Sequence, residues 1–227
     1  MEKGYFITGT DTNVGKTWAT IALMRYFKNQ EKSVAGMKPV ASGCLMRDGQ
    51  LKNEDALLIQ ENASLQIDYD LINPYAYELP VSPHIAGVKN PVKLDQLNAT
   101  FELLKTLADI VVVEGAGGWY TPLNDQEANS DLAKALALPV IMVVAIRLGC
   151  INHARLTYQA IAQSGPNCAG WIAVCTDPDL LSRDEIILTI KAMLDIPLLG
   201  VLPFRELADF DFFSEQLKMH RYLSPVG

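Results

Sequence analysis

Near the start of the chain runs Gly9-Thr10-Asp11-Thr12-Asn13-Val14-Gly15-Lys16-Thr17, residues whose types suit the grip of a phosphate chain. A triphosphate needs many hydrogen-bond donors in a small space. Backbone N–H groups of residues 13–18, at the start of a helix, supply them, and the helix dipole adds to the attraction. Gly15 lets backbone approach phosphate closely. Lys16 can reach the β- and γ-phosphates, and Thr17 offers a hydroxyl to Mg²⁺. The Gly-Lys-Thr end matches the P-loop pattern, but Thr10 stands where GxxxxGK[ST] has its first glycine, and Gly9 lies one residue further upstream. Contacts to nucleotide are expected from Asn13, Val14, Gly15, Lys16, Thr17 and Trp18. The plainer alternative is a glycine turn between a strand and a helix, with an exposed lysine.

Two further stretches could complete such a site. Ile110-Val111-Val112-Val113-Glu114 is an apolar run that ends in a carboxylate and continues Gly115-Ala116-Gly117. A Glu at the carboxyl end of a buried strand faces the ligand edge of the sheet, where it can serve Mg²⁺ directly or through water. Otherwise it only caps its strand. Gly36-Met37-Lys38-Pro39-Val40-Ala41-Ser42-Gly43 ends a second apolar run with a lysine that can point at the γ-phosphate. Asp55 opens a helical stretch and is a second candidate metal ligand, although acids are common in any first helical turn. Thr12 and Ser42 could hydrogen-bond a small polar substrate.

The elements that must carry these residues are legible as alternating patterns. Short apolar runs at 5–8, 34–38, 110–113, 140–146, 171–174 and 198–202 read as parallel strands covered on both faces. Helical stretches at 16–29, 54–61, 94–107, 130–136, 151–163 and 183–194 lie between them. Leu97, Phe101, Leu104 and Leu107 show the helical spacing. The alternation predicts an α/β fold of the P-loop NTPase kind, a doubly wound, mostly parallel sheet flanked by helices. Residues 68–92, with Pro74, Pro80, Pro83 and Pro91, read as an ordered loop region across the sheet edge. No domain boundary is apparent, so residues 1–227 are expected to form one domain.

Composition narrows the function classes. A formal net charge of −7 over 227 residues disfavours sequence-independent nucleic-acid binding. Cys44, Cys150, Cys168 and Cys175 show no CxxC spacing, which speaks against a zinc or redox motif. No basic region followed by a long apolar one opens the chain, and no apolar run is long enough to cross a bilayer. A cytoplasmic location without membrane or nucleic-acid partners is expected.

Together, Gly-Thr-Asp-Thr-Asn-Val-Gly-Lys-Thr (9–17), Lys-Pro-Val-Ala-Ser-Gly (38–43), Val-Glu-Gly-Ala-Gly-Gly-Trp (113–119) and Leu-Gly-Cys-Ile-Asn-His (148–153) resemble the dethiobiotin synthetase family. Asn73-Pro74-Tyr75 and Ser82-Pro83-His84 fit it too. The resemblance implies that 7,8-diaminononanoate, CO2 and ATP give dethiobiotin, ADP and phosphate through a carbamate and a carbamic-phosphoric anhydride. It implies Lys16 and Lys38 at the γ-phosphate, Thr17, Asp55 and Glu114 at Mg²⁺, and Thr12 and Ser42 at the substrate. It also implies a homodimer in which Gly149, Cys150, Ile151 and Asn152 of the neighbouring subunit bind the substrate carboxylate; read alone, these residues are an ordinary helix start with free N–H groups. The chain departs from the family at Val174 and Cys175, where the family often has Asn-Asp and the Asn resembles a reader of adenine. Backbone groups there, or Pro203, Phe204 and Arg205, must then read the base, or it is read loosely. Asn13 replaces a frequent Glu, with little expected effect.

Two other readings compete. A cobyrinate-type amidating enzyme would need a further glutaminase domain, for which the chain is too short. A ParA- or MinD-like ATPase switch typically has a second lysine early in the P-loop, where this chain has Thr10, Asp11 and Thr12. The 212–223 stretch has some helical amphipathicity but is not strongly basic, as a membrane-surface helix would be.

Overall fold

A computed structural model of the chain describes residues 3–219. In chain order its elements are β1 (Gly4–Gly9), α1 (Lys16–Lys28), β2 (Val34–Met37), β3 (Val40–Ser42), β4 (Leu45–Arg47), β5 (Gln50–Lys52), α2 (Glu54–Asn62), α3 (Tyr69–Ile72), β6 (Tyr75–Tyr77) and α4 (Pro83–Ala86). There follow α5 (Leu94–Leu107), β7 (Ile110–Gly118), α6 (Asn129–Ala135), β8 (Val140–Ile146), α7 (Cys150–Ser164), β9 (Cys168–Cys175), α8 (Arg183–Met193), β10 (Leu198–Leu202) and α9 (Phe210–Glu215).

Six strands form one sheet in the order β10-β9-β8-β1-β7-β2, and each neighbouring pair is parallel. The continuous apolar runs are explained by burial on both faces: every residue of β1 and β8 is buried. Each fully buried Val, Ile or Phe in these strands contributes about 1.5–3 kcal/mol of transfer free energy. On α5 the expected stripe is real for Leu97, Phe101 and Leu104, all buried, whereas Leu107 at the helix end is exposed. The chain reverses direction about the sheet at β1, which lies between β7 and β8. The loop after β1 therefore opens at the carboxyl edge, where ligands of such sheets bind.

Three expectations need correction. Residues 68–92 are not a plain loop: they hold α3, β6 and α4, and β6 pairs in parallel with β3. A hairpin of β4 and β5 precedes them. The second strand stops at Met37 rather than at Lys38, because the Lys38 N–H bonds the Ile72 carbonyl at 2.7 Å and Pro39 has no N–H to offer. The third apolar strand runs on from 113 to Gly118, and Gly9 pairs with Gly118.

The amphipathic 212–223 stretch coincides only at its start with α9, which packs along α1. There Trp18 stacks on Phe213 at 5.4 Å and Arg25 pairs with Asp211 at 2.8 Å. Residues 220–223 lie outside the described residues. No helix among the described residues is long and apolar enough to cross a membrane.

Candidate active site

The phosphate loop joins β1 to α1. Its backbone explains its composition. Gly15, the residue before α1, has φ 86°, and a Cβ there would sit 2.7 Å from Val174 Cγ1. Both the left-handed backbone and the packed valine exclude a side chain. Asn13 also has positive φ, at 57°. Asparagine tolerates that conformation better than most residues, so its place in the loop has a local reason.

A cavity of about 600 Å³ lies over this loop. Of the residues singled out in the sequence, Thr12, Asn13, Val14, Gly15, Lys16, Thr17, Trp18, Lys38, Ser42, Asp55, Glu114, Ala116, Gly117, Val174, Cys175 and Phe204 line it. Gly115 does not; it is turned into the core against Phe6. Pro203 and Arg205 do not either, and the Arg205 guanidinium lies 4.5 Å from the ring centroid of Phe212 instead. Gly149, Cys150, Ile151 and Asn152 are also outside the cavity of their own chain. Gly149 caps α7 with φ 86° and no side-chain cap, and Cys150 is buried.

The charged residues converge. Lys38 Nζ pairs directly with the fully buried Glu114 carboxylate and lies 3.2 Å from Asp55 Oδ2. Thr17 Oγ1 donates to Glu114 Oε1 at 3.1 Å. Lys16 Nζ donates to the Asp11 carbonyl at 3.0 Å, and Asp11 in turn pairs with Arg147 at 3.0 Å.

These contacts set the ionisation states. Burial, helped by the Lys38 charge, brings the Lys16 ammonium down to about 8. Burial also opposes the charge on Lys38, but Glu114 and then Asp55 outweigh it and hold that ammonium above its ordinary value. Asp55 sits below the usual carboxylate range: burial would raise it, yet the Lys38 ammonium at 3.2 Å prevails.

Thr17, Asp55 and Glu114 offer hard oxygen donors of the kind magnesium takes. Glu114 Oε2 is buried and has no hydrogen-bond partner. An orphaned buried carboxylate oxygen beside a phosphate loop fits a cation, since leaving it unpaired is costly. The residues present therefore suit Mg²⁺.

Several lining residues escaped the sequence reading: Val40, Ala41, Asn53, Pro80, Val81 and Thr121 among them. Asn53 had a detectable signal, because it precedes a helix and its side chain caps Ala56 N at 3.2 Å. Thr121 had none. Its hydroxyl accepts from Gly118 N at 2.8 Å and sits where a Cβ on Gly117, at φ 66°, would collide. Asn129, wholly buried behind the cavity, bonds Gly118 O at 2.8 Å and also the Ala116 carbonyl, and so fixes the turn after Glu114.

A parallel sheet with a strand–loop–helix phosphate cradle and a lysine–carboxylate cluster at its carboxyl edge defines a P-loop nucleoside triphosphatase. The fold is similar to that of the septum site-determining protein MinD from Pyrococcus horikoshii OT3, a complex with Mg-ADP, with a TM-score of 0.59, 16% identity and coverage of 100% of this chain and 90% of that one. It is also similar to the signal recognition particle receptor FtsY from Elizabethkingia anophelis, in complex with GDP, with a TM-score of 0.58, 12% identity and coverage of 96% and 60%. At such identities only the fold is shared.

A family model described as an AAA domain matches residues 3–210. The chain is 46% identical over 206 residues to ATP-dependent dethiobiotin synthetase BioD 1 from Escherichia coli (strain K12), covering 90% of this chain and 92% of that protein. It is 44% identical over 223 residues to ATP-dependent dethiobiotin synthetase BioD from Nitrosospira multiformis, covering 97% of each. The chain belongs to the dethiobiotin synthetase family of ATP-dependent ligases.

Proposed function

We propose that this enzyme closes the ureido ring of dethiobiotin from 7,8-diaminononanoate, CO2 and ATP, releasing ADP and phosphate, in biotin biosynthesis. The observation that carries the reading is the convergence of Lys16, Lys38, Thr17, Asp55 and Glu114 on one cavity over the phosphate loop. Positive charge is needed where phosphoryl transfer develops negative charge, and two lysines stand there.

The chemistry balances in three steps. One substrate amine adds to CO2 and loses a proton, giving a carbamate. A carbamate oxygen displaces ADP from the γ-phosphorus, giving a carbamic-phosphoric anhydride. The second amine attacks the carbamoyl carbon, phosphate leaves, and the ring closes with loss of a proton. Lys16 and Lys38 neutralise the γ-phosphoryl oxygens throughout the second step. Thr12 and Ser42 orient the substrate; Ser42 Oγ is buried without a protein partner and lines the cavity, which leaves it free to bond a ligand. Thr17, Asp55 and Glu114 would hold Mg²⁺, which supplies charge neutralisation to the phosphates.

The substrate's carboxylate is bound by Gly149–Asn152 of a neighbouring subunit in a homodimer. Support comes from the exposure of Gly149 and Asn152, their separation from their own chain's cavity, and the exposed Leu148 beside them.

The test is direct. Incubation with the diamine, CO2 and MgATP is expected to yield dethiobiotin and ADP by mass spectrometry. ATP hydrolysis that ignores the diamine and yields no dethiobiotin would overturn the reading.

A further inference from the structure

Two residues outside the cavity, Asn73 and Tyr69, help to place Lys38. Its strand has ended at Met37, and the following proline has no N–H, so the sheet does not hold its peptide. Instead the Lys38 N–H bonds the Ile72 carbonyl at 2.7 Å, while Asn73 Nδ2 donates to the Lys38 carbonyl at 2.7 Å and to the Tyr75 carbonyl at 3.3 Å. Asn73 Oδ1 accepts from the Tyr69 hydroxyl at 3.1 Å, and that hydroxyl accepts from Asn53 N at 2.7 Å. Asn53 is the N-cap of α2, whose first turn carries Asp55. Asp55 Oδ2 then meets Lys38 Nζ at 3.2 Å.

The bonds form a closed ring from the Lys38 carbonyl through Asn73, Tyr69 and the start of α2 to Asp55 and back to the Lys38 ammonium. Both intermediaries are buried, Asn73 at 3% and Tyr69 at 8% exposure. A buried, fully bonded polar network holds a single geometry, because every alternative leaves a buried group unpaired.

We infer that Tyr69 and Asn73 are positioning residues of the reaction: they fix the backbone of Lys38 relative to the helix of Asp55, so that the lysine and the carboxylate meet the γ-phosphate in register. The inference rests on the proposed function. Neither residue lines the cavity, so their loss should slow turnover and spare nucleotide binding, which the phosphate loop provides.

The test compares three variants of the full chain. Tyr69→Phe removes one oxygen, and its turnover to dethiobiotin should fall roughly tenfold or more while the Kd for ATP stays within about twofold, as expected when a reacting group is misplaced by a fraction of an ångström. Asn73→Ala should fall further. Tyr75→Phe is the structural control. Tyr75 is as buried a residue, and its hydroxyl bonds Gln96 at 2.8 Å and Lys93 N at 3.1 Å, away from Lys38. Its turnover should stay within about twofold of the unaltered enzyme even if its stability drops by the ~1 kcal/mol of a lost hydrogen bond.

Unchanged turnover in Tyr69→Phe, or an equal loss in Tyr75→Phe, overturns the inference. Tyr69→Phe decides the matter even if Asn73→Ala does not fold. If the unaltered enzyme makes no dethiobiotin, the proposed function fails first, and this inference falls with it.

Discussion

The two ends of the cavity are built differently. At the phosphate end, Lys16, Lys38 and Glu114 are buried, and they come from elements far apart in the chain. Two buried side-chain oxygens of its lining residues, Glu114 Oε2 and Ser42 Oγ, have no protein partner. The other end, which the proposed function gives to the base, is walled by Val174, Cys175, Thr176 and Phe204. It presents one exposed hydroxyl and no charge. Interactions speed a reaction only where they strengthen in the transition state. Under the proposed function, charge develops at the γ-phosphorus and not at the base, which assigns catalysis to the first end and makes the second a holding surface.

The largest effect should come from the charged end. Lys38→Leu is expected to cut kcat by about 10²–10³-fold, the scale of one lost transition-state stabiliser, with a much smaller change in the Kd for ATP. Equal losses would place the lysine in ground-state binding. The same variant leaves Glu114 buried without its counter-ion, which costs on the order of 3–5 kcal/mol in urea denaturation.

Gly15→Ala strikes where the phosphate loop packs against Val174 of the other end. Left-handed strain of about 1–2 kcal/mol and the collision with Val174 should weaken ATP binding about tenfold or more. Gly15→Ala with Val174→Ala should recover the steric part and not the backbone part, as titration calorimetry would show. Full recovery would mean that the left-handed backbone is unimportant.

A third effect is electrostatic. The Lys16 ammonium of the free enzyme titrates at about 8, and phosphate beside it raises that value. Binding is then linked to proton uptake of about half a proton at pH 8. Affinity should be fully present below pH 8 and decline as pH rises through the raised value in the complex. Calorimetry in buffers of differing ionisation enthalpy reads the uptake directly, and no uptake would mean that Lys16 is already fully charged.

The smallest effect is expected at the base. Without a side-chain reader, replacing ATP by GTP or CTP should change kcat/KM by less than about 10²-fold, far below the 10⁴–10⁵ of a site built on buried hydrogen bonds. Stronger preference would show that backbone groups read the base.

How much of this was legible depended on the kind of signal. The six core strands and the helices beside them announce themselves by apolar runs and periodicity, because burial on two faces leaves a compositional mark. Strands β3, β4, β5 and β6 are three residues each, too short for any period, and β3 and β6 each begin directly after a proline, Pro39 and Pro74. The end of β7 was invisible for the opposite reason, since Gly115-Ala116-Gly117-Gly118 carries almost no side chains. In the site, residue types pointed to Lys16, Thr17, Lys38 and Glu114. That Lys38 would pair with both Glu114 and Asp55 is a property of the fold. So are the roles of Asn73, Asn129 and Thr121, single polar residues that bond the backbone carbonyls or amides of the motifs after Met37 and Glu114.

The most direct test of the central claim follows an oxygen atom. If the carbamate attacks the γ-phosphorus at the lysine-rich end, one oxygen of CO2 must leave with phosphate and the other must remain in the ureido carbonyl. In a rapid-quench reaction with C18O2 and MgATP, the account predicts one 18O in each phosphate and one in each dethiobiotin. Labelled dethiobiotin with unlabelled phosphate would contradict it.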